Sequence, residues 1–188
     1  MIAVRKVRSA YKIISIFLIS LLSKIKLKLL EENIDIGLRV LIGRRVIIRT
    51  TDNGKVIIGN DVIFEDNAYI YAQNAIISIG DNSFIGSGSQ IMAKKSISIG
   101  KDALISAYCI IRDANHTFKK KDIPIREQGH IAEPITISDD VWLGAHCVVT
   151  SGCEIGEVAV IGANAVVTKE IEKYTINAGV PAKYIRDR

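Results

Sequence analysis

His116 closes the run Asp113-Ala114-Asn115-His116. With an ordinary pKa of about 6.5, its imidazole can take and return a proton at neutral pH. Asp113, three residues earlier, has two readings: a carboxylate that orients the imidazole, or one that binds the amides of a turn. The other histidines, His130 and His146, follow at intervals of 14 and 16 residues. Such spacings lack the tight pair from which a zinc site is usually built, so no metal is expected. His130 either borders whatever His116 acts on or is simply solvated, and His146 reads as an ordinary surface residue. Cys109, Cys147 and Cys153 form no Cys-x-x-Cys pair and suggest no disulfide framework. Each stands four residues after an aliphatic residue (Ile105, Leu143 and Val149), a position also held by Ala103, Ala159 and Ala165. They read as small core fillers in a reducing compartment rather than ligands or nucleophiles. No Gly-x-Ser-x-Gly nucleophile elbow is present.

The elements that must position His116 come from a repeat of six. Ile99, Ile105 and Ile111 precede it, and Ile137, Leu143, Val149, Ile155, Ile161 and Val167 follow. The pattern begins weakly at Ile36-Gly37 and Ile42-Gly43 and slips through a turn at Thr50-Thr51-Asp52-Asn53-Gly54. It recovers at Ile58, Phe64 and Ile70, then at Ile79, Ile85 and Ile91. A helix needs apolar spacings of three and four, which a period of six does not supply. A six-residue strand cannot bury its single apolar face alone, but stacked coils align these aliphatics into interior ladders and pair every backbone amide above and below. Three such faces and a small corner insertion make one coil of a triangular prism. The expectation is therefore an all-β fold, a single-stranded parallel β-helix of about five coils over residues 31–170. Hexapeptide repeats of this kind are associated with the left-handed form. The register fails only at residues 117–133, an extruded loop beside His116. Residues 171–188 form an extended C-terminal tail whose Gly179 and Pro181 oppose a long helix.

The net charge of +5 is local in origin. Residues 1–30 hold seven of the 25 basic side chains and no acidic one, which leaves 18 basic against 20 acidic in the body. A slightly acidic body with 6% aromatic residues does not offer the basic, stacking surface that nucleic acids require. The first 30 residues read as a helical segment with an apolar run at residues 13–22. That run is too short to span a bilayer, and no small-residue cleavage site follows it. The segment packs over the end of the body or a neighbouring subunit, lies as a basic amphipathic anchor on an anionic membrane surface, or is disordered. The expected location is cytoplasmic, free or peripheral at the inner face of the cell membrane.

Specific runs then carry a resemblance. Pro134-Ile135-Thr136-Ile137-Ser138-Asp139-Asp140-Val141-Trp142-Leu143-Gly144-Ala145, Ile161-Gly162-Ala163-Asn164-Ala165-Val166-Val167-Thr168-Lys169 and Gly179-Val180-Pro181-Ala182-Lys183 are similar to the hexapeptide-repeat O-acetyltransferases. The likeness is to the galactoside and maltose enzymes and to the capsule, O-antigen and exopolysaccharide group. It is strong over roughly residues 97–186, generic before that, and absent over the first 30.

The resemblance implies a homotrimer of left-handed β-helices with acetyl-CoA in the groove between neighbouring prisms. It implies acetyl transfer to a hydroxyl of a sugar or cell-surface polysaccharide precursor, with His116 as general base and Asp113 beside it. Ala145 matches a position whose amide lies near the thioester, and Trp142 matches a tryptophan near the active site. Ala163, Thr168, Lys169, Lys183 and Arg186 match coenzyme contacts. The chemistry agrees with these residue types: an imidazole for the hydroxyl proton, a backbone N–H for the oxyanion, and late cations for phosphates. Departures are informative too. The asparagine and aspartate that hold the sugar in galactoside and maltose acetyltransferases read Gly86 and Lys94 here, against a small galactoside or maltose as the acceptor. Lys119-Lys120-Lys121 is either a solvated run or a preference for an acidic or lipid-linked glycan. The same fold also admits N-acetyl transfer to an amino sugar or amino acid such as serine, or a non-catalytic trimeric binding module.

Overall fold

The computed structural model describes residues 18–25 and 33–188. Expectations for residues 1–17 and 26–32 lie outside the described residues. Three parallel sheets form a left-handed β-helix of six coils. The first face stacks Ile34–Ile36, Lys55–Ile58, Ile76–Ile79, Ser96–Ile99, Ile135–Ile137 and Glu154–Ile155. The second face stacks Leu41–Ile42, Ile63–Phe64, Phe84–Ile85, Leu104–Ile105, Trp142–Leu143 and Val160–Ile161. The third face stacks Ile47–Thr51, Tyr69–Gln73, Gln90–Ala93, Ile110–Arg112, Val148–Val149 and Val166–Val167. The weak start at Ile36 and Ile42 is thus a full coil, which makes six where the repeat suggested about five.

The period of six becomes geometry through these ladders. Ile58, Ile79, Ile99, Ile137 and Ile155 are buried along one interior edge, and Phe64, Ile85, Ile105, Leu143 and Ile161 along the next. The small fillers sit at the corners, where the walls converge and a larger side chain has no room. Cys109, Cys147 and Cys153 are free and buried, and their thiols donate to the carbonyls of Gly144, Gly162 and Val167 of the coil above. A hydrogen bond with Cys147 and burial push the Cys109 thiol far above the usual thiol range, so it stays protonated and inert.

The tail does not leave the column at residue 171. Ile171 bridges to Ile155, and Thr175–Ala178 adds a seventh strand to the second face, parallel to Val160–Ile161. Lys183–Asp187 then folds back antiparallel on it, so the top of that sheet ends in an exposed hairpin. At the opposite end, residues 18–25 are helical. Ser20, buried there, donates to the Val40 carbonyl and accepts from the Ile42 N–H, which ties that turn to the first coil. Leu18, Leu21, Leu22 and Ile25 of the same turn are exposed.

Candidate active site

The column is interrupted once, after Arg112. Ala114–His116 pairs antiparallel with His130–Ala132, so the excursion begins as a short hairpin rather than an open loop. Inside it, the Gln128 side chain accepts from the Lys120 N–H and donates to the carbonyls of Lys120 and Ile123. A 3₁₀ turn at Ile125–Glu127 leads into that clasp. The hairpin register sets His116 opposite His130, with ring centroids 4.1 Å apart and planes tilted by 41°. Both residues are exposed. Loss of water contact lowers the pKa of His130, and the neighbouring Lys94, His116 and Arg112 lower it further. The sequence left His130 between two readings; its partner is another imidazole, and nothing in a 14-residue spacing announces that.

Asp113 roots this hairpin. Its side chain is fully buried. One carboxylate oxygen accepts from the Lys94 N–H at 2.7 Å, and the other from the Lys95 and Ser96 N–H groups at 2.7 and 2.8 Å. These three amides form the turn of the coil below, where the chain passes from the third face to the first. Of its two readings, the turn-binding one describes what Asp113 does. Its own carbonyl accepts from Ser151 Oγ and the Glu133 N–H, so the hairpin is fastened to the coil above as well.

The remaining expected site residues fall on two different edges of the prism. Ala145 and Ala163 occupy the turns between the second and third faces, one coil apart, joined by the Asn164 N–H donating to the Ala145 carbonyl. At comparable turns the next amide is taken by a side chain: Arg44 by Asp66, Ser87 by Glu65, Lys101 by Asp139. Among the described residues nothing accepts from the amides of Ala145 and Ala163; Ala163 stands above Ala145 and Gly179 above Ala163, where Asp66 stands above Arg44. Trp142 projects from the second face below them, half exposed, its indole N–H donating to Ser106 Oγ at 3.1 Å. Lys183 and Arg186 lie exposed on the strand that tops this face. Thr168 and Lys169 are exposed on the other edge, where the third face turns to the first, two coils above the root of the His116 hairpin. The structure therefore gathers His116 with Thr168 and Lys169 along one edge. It gathers Trp142, Ala145, Ala163, Lys183 and Arg186 on the second face and its border with the third.

A coil repeat with one extruded hairpin defines a class, the hexapeptide-repeat transferases. Residues 134–169 match the bacterial transferase hexapeptide (six repeats) family, and residues 76–111 match the hexapeptide repeat of succinyl-transferase. The chain is 32% identical over 165 residues to a probable acetyltransferase, Rv3034c, of Mycobacterium tuberculosis, covering 87% of this chain and 55% of that protein. It is 31% identical over 131 residues to the galactoside O-acetyltransferase of Escherichia coli, covering 69% of this chain and 63% of the relative. It thus spans between half and two thirds of the length of these relatives. Its fold superposes with a TM-score of 0.75, at 23% identity and 88% coverage of both chains, on a mutant form of AntD. That protein is an N-acyltransferase of Bacillus cereus, solved with dTDP-4-amino-4,6-dideoxyglucose and coenzyme A. The chain thus carries the hexapeptide repeats of these transferase families and is similar to their acetyltransferases.

Proposed function

We propose that this chain transfers the acetyl group of acetyl-CoA to a hydroxyl of a sugar or cell-surface polysaccharide precursor, with His116 as general base. The observation that carries the reading is the hairpin: an exposed imidazole held at a fixed height on the column by a buried carboxylate. In the reaction, the acceptor oxygen attacks the thioester carbonyl carbon while its proton passes to the His116 imidazole. The carbonyl oxygen, now negative, is met by the free N–H of Ala145. Collapse re-forms the carbonyl, breaks the C–S bond, and returns the proton from the imidazolium to the departing thiolate. The product is the acetyl ester and free coenzyme A. The amide of Ala163 suits a carbonyl of the coenzyme, and Thr168, Lys169, Lys183 and Arg186 suit its polar and phosphate groups.

The separation of these groups bears on the assembly. His116 stands on the edge between the third and first faces, and Ala145 on the edge between the second and third, with a whole sheet between them. A homotrimer, in which one edge of each prism meets the other edge of its neighbour, brings base and amide to one thioester. An apolar outer stripe of Ile63, Leu104 and Trp142 on the second face is consistent with such a contact. Sedimentation equilibrium tests it, with a mass of three chains expected.

The principal experiment is turnover of acetyl-CoA by the full chain and by His116→Ala. Loss of kcat by about 10²–10⁴-fold, with coenzyme binding retained by calorimetry, is the expected result. Equal turnover of the two proteins removes His116 from the chemistry, and no turnover by either leaves a binding module. AntD, an N-acyltransferase that shares the fold, motivates a second reading, acyl transfer to an amine. Hydroxylamine separates the two, because it strips acetyl esters and leaves acetamides intact. For the N-terminal segment, the exposed Leu18, Leu21, Leu22 and Ile25 favour a peripheral contact with the inner membrane face. Flotation of the full chain with anionic liposomes, lost when Leu21 and Leu22 become Gln, tests that contact.

A further inference from the structure

Beside the two imidazoles stand cations without counter-ions. Lys94, half-buried, begins the turn that Asp113 clasps, and its amide sits 2.7 Å from the Asp113 carboxylate. Arg112, exposed, ends the strand that runs directly into Asp113 and pairs with Met92 of the coil below. One buried carboxylate therefore fixes the backbone of Lys94, the backbone after Arg112, and the start of the hairpin that carries His116. Among the described residues, neither the Lys94 nor the Arg112 side chain has a hydrogen bond or an ion pair. The two acids that flank the hairpin, Asp113 and Glu133, are otherwise engaged. The oxygens of Asp113 are taken by three amides, and Glu133 lies against Gly152 of the coil above. Both cations are near enough to the ring pair for their charge to depress protonation of His130. Elsewhere on the column several cations are paired, Arg39 with Asp61, Lys55 with Asp35 and Arg188 with Asp140.

We infer that the acceptor presents an anionic group, a carboxylate or a phosphate, which Lys94 and Arg112 hold while its hydroxyl reaches His116. This rests on the transferase reading above and names the substrate class for that site. The anchor fixes the backbone at both cations, so only their side chains are ordered when the anion arrives, and a guanidinium offers a planar two-donor fork. A charge-assisted bond of this kind contributes roughly tenfold in affinity per cation. No covalent step beyond acetyl transfer is involved; the anion is held and released unchanged.

The test uses the full chain with acetyl-CoA and matched acceptors: p-nitrophenyl β-glucuronide against p-nitrophenyl β-glucoside for the carboxylate, and glucose 1-phosphate against glucose for the phosphate. A KM at least about tenfold lower for one charged member of a pair supports the inference and tells which anion is taken. Lys94→Gln and Arg112→Gln should each shrink that ratio by roughly tenfold. Lys101→Gln, at a different corner, should leave it alone. Equal use of charged and neutral acceptors overturns the inference while leaving the transferase intact. So do variants that raise KM for acetyl-CoA with both acceptors alike, which would assign the cations to the coenzyme. If no acceptor is acetylated, saturation-transfer NMR of the same sugars decides. Binding of the charged sugar lost in Lys94→Gln sustains the anion site and rejects the transferase, and binding of neither sugar rejects both.

Discussion

Replacing Asp113 by Asn removes one charge and turns an acceptor into a donor at a place with room for neither change. The native carboxylate faces three backbone N–H groups at 2.7, 2.7 and 2.8 Å and is fully buried. An amide oriented with its oxygen towards Lys95 and Ser96 points its NH₂ at the Lys94 N–H, so at least one buried donor loses its acceptor. That orphaned donor costs about 2 kcal/mol. The two bonds that survive lose their charge assistance, about 1 kcal/mol each. The total, roughly 4 kcal/mol, corresponds to a fall in Tm of about 8–16 °C for a chain of this size. Scanning calorimetry of the two proteins at one concentration measures it, concentration being fixed because assembly also moves Tm. A fall of less than about 2 °C would refute the claim that this carboxylate anchors the turn. Asp113→Glu makes a useful companion, since it keeps the charge but not the fit and should recover only part of the loss.

Three further outcomes follow from the geometry. In an NMR titration, the His130 ring should titrate below the ordinary histidine value, and Lys94→Gln or Arg112→Gln should raise its pKa by removing a repelling charge. Because the folded state depresses that pKa, the unfolded chain binds the proton more readily. The associated stability is whole above about pH 6.5, the unfolded value, and is lost as pH falls through the lowered folded value. Gly144→Ala would set a Cβ 2.6 Å from the Ala163 nitrogen and 2.9 Å from its Cα, both backbone of the next coil. The coils must part locally, at about 1–3 kcal/mol, read as a lower urea midpoint with an unchanged slope. Cys147→Ala should leave turnover within about twofold and cost about 1–2 kcal/mol, since the thiol fills space and donates to the Gly162 carbonyl.

The repeat was legible because each of its residues reports the same constraint. Ile99, Ile105 and Ile111 recur at six because each is one wall of the same coil, and Cys109, Cys147 and Ala165 are small because one corner admits little volume. The excursion was less legible. Its position showed as a break in register, but the pairing of His116 with His130 is antiparallel and spans a connection without periodicity. The role of Asp113 stayed open for a chemical reason: a carboxylate near a histidine serves an imidazole or a turn equally well, and only the amides of residues 94–96, a coil away, decide. The tail was legible as extended chain and no further. Gly179 and Pro181 spoke against a helix but not against the strand at Thr175–Ala178, whose partner lies one coil back.

The column closes beneath its own interruption: Ile97, Ser98 and Ile99 pair directly with Ile135, Thr136 and Ile137. Between the ties made by Asp113 and Glu133, residues 114–132 make no hydrogen bond to the rungs on either side among the described residues. The excursion can be exchanged for a longer or shorter one while the stack keeps its registration. What such a molecule chooses to serve and how well it endures are then free to evolve on separate accounts.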